Sequence, residues 1–305
     1  MRRYRRLVSL ICTFVIILSL MPLQAAAAGP TLKEGAVYRT SAADATVRFL
    51  SDSDGTYYYK VTDNATFPDP NDLTTWEKGD AVTADTITAV TLTGMASGPR
   101  CVHIVVKDAA EKVSDVLTVS MPYDLYYSEN FETYAEGNYP DHFSRQYNGA
   151  GYNEQKVINS TQAGGESGKV FRLKGSYNNA SDSRADLPAG ITGTVVYEAD
   201  IKPVSEVPGG LQLGRKGGGG WVDAVVRVAL ANGTLHWMTG DGPGVLTDVT
   251  YDIGKWYTLR VELNYTNRTF DYYLDGVKLN ANPLQAHYTR VLNRCRCSLS
   301  VLSFR

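Results

Sequence analysis

The segment Gly254–Leu279, with the sequence GKWYTLRVELNYTNRTFDYYLDGVKL, predicts three antiparallel strands joined by two tight turns. Apolar and polar residues alternate along its two longer runs, so one face of each strand is expected in a core and the other in solvent. Asp275-Gly276 is typical of a type I′ turn, because both central residues of that turn have positive φ. A two-residue turn predicts that the apolar residues of the two strands lie on the same face of the hairpin. The predicted pairs are Leu274 with Val277, Tyr273 with Lys278, and Tyr272 with Leu279.

Composition places the chain among globular proteins that are rich in strands. The 305 residues are 43% hydrophobic and 20% charged, which fits about two domains, and twenty tyrosines and 28 glycines favour strands and turns. The formal net charge is −2 and no basic stripe is visible, so nucleic acid is not expected as a partner.

Residues 1–28 predict a signal peptide. Four arginines lie before position 7, an apolar run covers Leu7–Leu23, and Ala25–Ala28 supplies the small residues at which such peptides are cleaved. An uncleaved membrane anchor is the alternative, since the run approaches the length that spans a bilayer. Cleavage predicts a secreted or cell-surface protein without a membrane partner. The remaining cysteines, Cys101, Cys295 and Cys297, are odd in number and do not favour a disulfide framework.

Residues 31–122 predict a small β-sandwich, because short alternating strands follow one another with turn signals between them. The expected strands are Thr46–Leu50, Thr56–Thr62, Thr86–Leu92, Cys101–Lys107 and Val116–Met121. Two of the sequences, GTYYYKVTD at Gly55–Asp63 and CVHIVVKDAAEKVSDVLTV at Cys101–Val119, resemble the Ig-like or fibronectin-III-like modules of bacterial exported and cell-surface proteins. That resemblance implies a spacer or adhesive unit without catalytic residues.

Residues 123–127 are interpreted as a linker, and residues 128–305 as a second domain. Its opening sequence ENFETYAEGNYP (Glu129–Pro140), the strand GTVVYEADIK (Gly193–Lys202) and the Gly254–Leu279 segment resemble concanavalin A-like jelly rolls, a superfamily with lectins, laminin-G-like domains and glucanases. The fold class predicted for the whole chain is therefore all-β. In such domains two strands follow the position of Leu279, whereas here Ser298–Phe304 supplies one, so we expect a truncated or frame-shifted reading without the last strand.

The sequence contains one candidate acid pair. Glu198 and Asp200 lie two residues apart on a predicted strand and share a face, but the third carboxylate of the glucanase pattern is replaced by Lys202. Polar alternation explains the pair without chemistry, so no catalytic residue is predicted. No cofactor is expected, although Glu132 and Asp141 are candidates for a structural calcium ion of the kind that similar domains sometimes hold.

A hairpin on Asn232-Gly233 provides the candidate ligand site. Its turn pairs Ala229 with His236 and Arg227 with Met238 on the face opposite the core, where Arg227 and His236 become diagonal neighbours on a surface expected to be exposed. Trp221 follows four glycines on a loop that can present its ring to a ligand. Trp237 and Trp256 are expected in the core.

These features together predict an exported, noncatalytic carbohydrate-binding or accessory protein whose partner is a polysaccharide or a cell-surface glycan. Trp221, Arg227 and His236 are its predicted ligand-binding residues. Two alternatives remain: a glycosidase or polysaccharide lyase, or a fragment of one, and a structural adhesion module.

Overall fold

The computed structural model describes residues 29–303, except 40, 42, 67, 97, 123–124, 149–153, 164–166, 175–180, 187–191, 205–208, 216–223, 240–244 and 287–296. Across these residues the chain is all-β, with antiparallel pairing throughout and short 3-10 turns at Leu73–Thr75 and Ser160–Ala163. No helix among the described residues is long and apolar enough to cross a bilayer.

Two four-stranded sheets form the first sandwich. One sheet has the order β5-β2-β1-β8, with β1 Leu32–Arg39, β2 Ala45–Ser51, β5 Ile87–Leu92 and β8 Tyr127–Ser128. The facing sheet has the order β4-β3-β6-β7, with β3 Gly55–Thr62, β4 Glu77–Val82, β6 Arg100–Lys107 and β7 Leu117–Met121. All five strands predicted from the sequence are confirmed, and β1, β4 and β8 were missed.

The core of the first sandwich follows from the period-two pattern. Val47 and Phe49 of β2 face Val102, Ile104 and Val106 of β6, and all five side chains are buried. The opposite face of β6 is buried as well. There the side chain of His103 lies between the hydroxyls of Thr62 and Thr118 on the two neighbouring strands. The first sandwich thus has one apolar core and a buried imidazole outside it.

A seven-stranded sheet and a five-stranded sheet form the second sandwich. The larger has the order β17-β16-β15-β14-β22-β12-β9, with β9 Phe143–Asn148, β12 Ser181–Asp186, β14 Gly209–Arg215, β15 Ala224–Ala231, β16 Thr234–Met238, β17 Val245–Thr250 and β22 Cys297–Ser303. The smaller contains β13 Thr194–Ile201, β18 Tyr257–Asn264, β19 Thr269–Leu274, β20 Val277–Lys278 and β21 Leu284–Gln285. A separate hairpin pairs β10 Gln155–Asn159 with β11 Lys169–Leu173.

The core of this sandwich lies between the two sheets. Val228 and Leu230 of the larger sheet meet Leu259, Val261 and Leu263 of the smaller one, and all are fully or almost fully buried. The predicted C-terminal strand is confirmed with its bounds shifted by one residue. It occupies the interior of the seven-stranded sheet, between β12 and β14.

The type I′ turn predicted at Asp275-Gly276 is confirmed, and the predicted two-residue turn at Asn232-Gly233 has nearly the same positive φ values. Asn232 and Gly233 have φ of 49° and 80°, and Asp275 and Gly276 have φ of 49° and 78°. The pairing of Tyr273 with Lys278 and of Leu274 with Val277 is as predicted.

The expectation that the inward face continues through Val277 is wrong. That side chain is 62% exposed. The strand β20 has two residues and ends beyond the edge of the core, so its first side chain has no facing sheet to pack against.

Candidate functional site

The outer face of the seven-stranded sheet, which points away from the apolar core, carries a row of polar positions. Residues paired across antiparallel strands share a face, and pairing continues here across six neighbouring strands. The row consists of five polar residues and one methionine at its end, in the order Met238, Arg227, Gln212, Ser300, Arg184 and Ser144. At a strand spacing of about 4.8 Å it extends for about 24 Å across the sheet. We call these six positions the polar row.

Arg227 and His236 occupy the register that the hairpin predicts. Arg227 pairs with Met238 and His236 pairs with Ala229, so the two predicted ligand-binding residues are diagonal neighbours on the outer face. Arg227 donates from Nη1 to the sulfur of Met238 at 3.2 Å, and Nε2 of His236 lies 3.0 Å from the hydroxyl of Thr234. These contacts hold both side chains close to the sheet.

The expected exposure of Arg227 is wrong, since the side chain is 4% exposed, while His236 is half-buried. Period-two alternation distinguishes the two faces of a strand but does not tell whether the outer face is covered. Arg227 and its same-face neighbour Ala229 are both buried, so this part of the outer face is covered and is not an open surface.

Arg184 is a second arginine in the polar row, and the sequence interpretation missed it. It is 6% exposed, its Nε has no hydrogen-bond partner among the side chains that the structure describes, and its carbonyl accepts a hydrogen bond from the hydroxyl of Ser144 at 3.3 Å. The signal that was available is the alternation of small and charged residues in SDSRAD, which lacks the large apolar residues that mark most strands.

Two small residues lie beside the polar row, two positions along their strands from Arg227 and Gln212. Gly210 pairs with Ala229, and a Cβ atom on Gly210 would lie 2.2 Å from the carbonyl oxygen of Val228. Glycine therefore permits a close approach of β14 to β15 at this point.

The three tryptophans of the sequence interpretation differ in outcome. Trp221 lies outside the described residues. Trp237 is half-buried and its ring meets Phe270 edge-on at 5.7 Å, as expected for a core residue. The core assignment of Trp256 is wrong: its side chain is 36% exposed, because the alternation that turns Tyr257 inward turns Trp256 outward, with the ammonium of Lys202 6.0 Å from its ring centroid.

The candidate acid pair lies on the outer face of the five-stranded sheet, and both carboxylates have partners there. Glu198 lies 3.8 Å from Arg260, and Asp200 accepts a hydrogen bond from the hydroxyl of Thr258 at 2.6 Å. Arg260 also pairs with Glu262, which accepts a hydrogen bond from Tyr273 at 3.0 Å. Desolvation and this bond raise the pKa of Tyr273. On this face the guanidinium of Arg260 pairs with the carboxylates of both Glu198 and Glu262, which forms an ion-pair network.

The two calcium candidates make unrelated contacts. Glu132 accepts a hydrogen bond from the backbone N–H of Lys169 at 2.7 Å, whereas Asp141 pairs with Arg48 at 2.5 Å. Within the part of the chain that the structure describes, no group of three or more His, Cys, Asp or Glu side chains is arranged to hold a metal ion.

Comparison with known proteins gives weak likenesses. No protein-family model and no curated protein matches the sequence. Among solved structures, a sialidase matches with 14% identity over 67% of this chain and 17% of its own, at a TM-score of 0.39. The alginate lyase AlgAT5 of polysaccharide lyase family 7 matches with 15% identity over 61% of this chain and 76% of its own, at a TM-score of 0.31.

A Bacteroides ovatus protein provisionally described as carbohydrate binding matches with 12% identity, over 90% of this chain and 74% of its own, at a TM-score of 0.26. The chain therefore spans less than a fifth of the sialidase. Because all three TM-scores are low, these likenesses decide neither the family nor the function.

Proposed function

We propose that the protein is an exported or cell-surface carbohydrate-binding protein that binds a polysaccharide without cleaving it, along the polar row of the seven-stranded sheet. The observation that carries the proposal is the line of polar positions from Met238 to Ser144 on a face turned away from the core. Sugar hydroxyls both donate and accept hydrogen bonds, and arginine, amide and hydroxyl side chains offer matching groups. The length of about 24 Å suits an extended polymer more than a single sugar ring.

The absence of catalysis in this proposal is supported by the contacts of the acid pair. Retaining glycosidases need two carboxyl groups about 5–5.5 Å apart, one of them protonated. Glu198 lies 3.8 Å from Arg260 and Asp200 accepts a hydrogen bond from the hydroxyl of Thr258, so each carboxylate is held in a cross-strand contact of its own.

The domain scheme is part of the proposal. We propose that residues 1–28 are a cleaved signal peptide, that residues 31–122 form an Ig-like module, and that residues 128–305 form a concanavalin A-like jelly roll after a linker at 123–127. Paired antiparallel sheets with an apolar core in each sandwich support this scheme. Trp221 is proposed as an aromatic contact to the sugar.

The test is binding of the mature protein to a panel of purified neutral and acidic polysaccharides, measured by affinity electrophoresis and calorimetry. His236→Ala is the main variant because His236 is half-buried, and Arg227→Met retains the volume of the buried side chain. We expect each to raise Kd at least about tenfold, which corresponds to about 1.4 kcal/mol. Circular dichroism verifies the fold of each variant.

The matched control is Lys278→Ala, which removes an exposed cation from the five-stranded sheet and should leave Kd unchanged. Failure of the folded wild-type protein to bind any polysaccharide would overturn the proposal. Equal loss of affinity in the control would move the site to the other sheet.

A further inference from the structure

The two sandwiches are joined by an ion pair whose arginine is mostly buried and whose carboxylate is 55% exposed. Arg48 of β2 donates from Nη1 to Oδ1 of Asp141 at 2.5 Å, across the junction between the first sandwich and the segment that leads into β9. The arginine side chain is 16% exposed. A charge-assisted hydrogen bond of this kind is shorter and stronger than one between neutral groups.

A second layer of polar contacts holds Asp141 in place. The hydroxyl of Tyr134 lies 2.8 Å from Oδ1 of Asp141 and 3.3 Å from Oε2 of Glu129, and Oε1 of Glu129 accepts the backbone N–H of Phe131 at 2.8 Å. Burial raises the pKa of Glu129. Burial also acts to raise the pKa of Asp141, but its bonds to Arg48 and Tyr134 outweigh that effect and lower the pKa.

Aromatic rings close the junction beside the ion pair. The ring of His142 meets Tyr38 of β1 at 4.2 Å and 62°, and Tyr127 of β8 at 6.4 Å and 77°. The guanidinium of Arg48 lies 5.9 Å from the ring centroid of Tyr38. Burial is the main cause of a lowered pKa at His142, so a neutral imidazole is favoured between these rings.

The backbone between the sandwiches is fixed too. Tyr127 and Ser128 pair with Tyr38 and Val37, so the chain leaves the predicted linker as a strand of the first sandwich. Tyr127 also packs against the core of the second sandwich. A Cβ atom on Gly35 would lie 2.7 Å from the side chain of Thr133, which shows how closely the two parts approach.

From these contacts we infer that the first sandwich is a rigid positioning element for the second, locked to it by Arg48, Asp141 and Tyr134, and not a flexible spacer. The lock lies next to β9, the edge strand of the seven-stranded sheet that carries Ser144. It therefore fixes the orientation of that sheet relative to the first sandwich. The inference does not depend on what the protein binds.

Residual dipolar couplings of the weakly aligned mature protein test this inference. In the wild type, one alignment tensor should fit the amide couplings of both sandwiches. In Arg48→Met, which keeps the stem of the side chain and loses the charge, two different tensors should be required. Lys107→Met is the matched control, because it breaks an ion pair of similar length, Lys107 to Glu111 at 2.6 Å, inside the first sandwich.

The control should keep a single tensor. A wild type that needs two tensors overturns the inference, and so does an Arg48→Met variant that keeps one. If Arg48→Met does not fold, Asp141→Asn, which retains the volume of the side chain and weakens the pair, replaces it with the same expected result. Independent tumbling of the two sandwiches in 15N relaxation of the wild type would contradict the inference by a second route.

Discussion

Asp275 and Thr258 are joined by two hydrogen bonds: the backbone N–H of Thr258 donates to the carboxylate of Asp275 at 2.9 Å, and the N–H of Asp275 donates to the carbonyl of Thr258, also at 2.9 Å. Asp275 also has a positive φ of 49° as the first residue of the type I′ turn. Asp275→Ala loses the side-chain bond and adds left-handed strain, so we expect it to lower the free energy of unfolding by about 2 kcal/mol.

Urea unfolding measures this loss, and two variants separate its causes. Asp275→Asn keeps an acceptor oxygen and tolerates positive φ, so it should cost less than about 1 kcal/mol. Asn232→Ala, at the same φ of 49° in the other hairpin, reports the strain of the turn. A loss in Asp275→Ala no larger than that in Asn232→Ala would show that the bond to Thr258 contributes nothing.

His103 predicts a loss of stability in mild acid. Its Nε2 lies 2.8 Å from the hydroxyl of Thr62 and its Nδ1 lies 3.0 Å from that of Thr118, with the side chain fully buried. Burial lowers the pKa of His103, so the unfolded chain binds a proton more readily than the folded one. The stabilisation is complete above the unfolded pKa of about 6.5 and is lost as pH falls through that value towards the folded pKa.

We therefore expect the free energy of unfolding to fall below pH 6.5, by at most about 1.4 kcal/mol per pH unit from this group. Urea titrations at several pH values measure the slope, which His103→Gln should reduce. His142 has a lowered pKa as well and acts in the same direction, whereas the raised pKa values of Glu34 and Glu129 act against it. A pH slope that is identical in wild type and His103→Gln would refute this assignment.

Gly79 makes room for the ring of Tyr57. A Cβ atom on Gly79 would lie 2.0 Å from Cε2 of Tyr57, whose ring packs edge-on against Phe49 at 5.7 Å. Gly79→Ala must displace that ring from the core, and we expect a cost of about 1–3 kcal/mol. In a Tyr57→Leu background the clash is removed, so the same substitution should cost much less. Equal costs in the two backgrounds, measured by thermal unfolding, would contradict this account.

The parts of the fold that the sequence predicts are those set by neighbouring residues. Alternation identifies β13 and β18, and the Asn-Gly and Asp-Gly turns fix hairpin registers correctly, because a two-residue loop leaves one pairing. The order of strands far apart in sequence was not predicted, and β22 between β12 and β14 is the clearest case. Such pairings depend on contacts across the whole sheet, which no local pattern records.

The candidate site was predicted in part for the same reason. The hairpin register placed Arg227 beside His236, but the burial of Arg227 depends on what surrounds the outer face. Arg184 joins the polar row because it pairs with Ser300 of β22. It could therefore be identified only after the position of β22 in the sheet was known. Trp256 is a different case. The alternation of its neighbours already indicated that it points outward, so its assignment to the core was wrong on local grounds.

Glu198→Gln distinguishes the noncatalytic proposal from a glycosidase or lyase. Glu198 is 50% exposed and lies 3.8 Å from Arg260, which keeps Glu262 as a second partner. An exposed ion pair contributes about 0–1 kcal/mol, so this substitution should change the free energy of unfolding by less than about 0.5 kcal/mol. Glu262→Gln is the matched control and should cost more, about 1 kcal/mol, because Glu262 also accepts the hydrogen bond from Tyr273.

In the same samples, reducing-end and unsaturated-product assays on the polysaccharides that bind should show no release above background for wild type or either variant. Release by the wild type that disappears in Glu198→Gln but persists in Glu262→Gln would assign catalysis to Glu198. The comparison depends on both variants remaining folded, which the unfolding measurements establish directly.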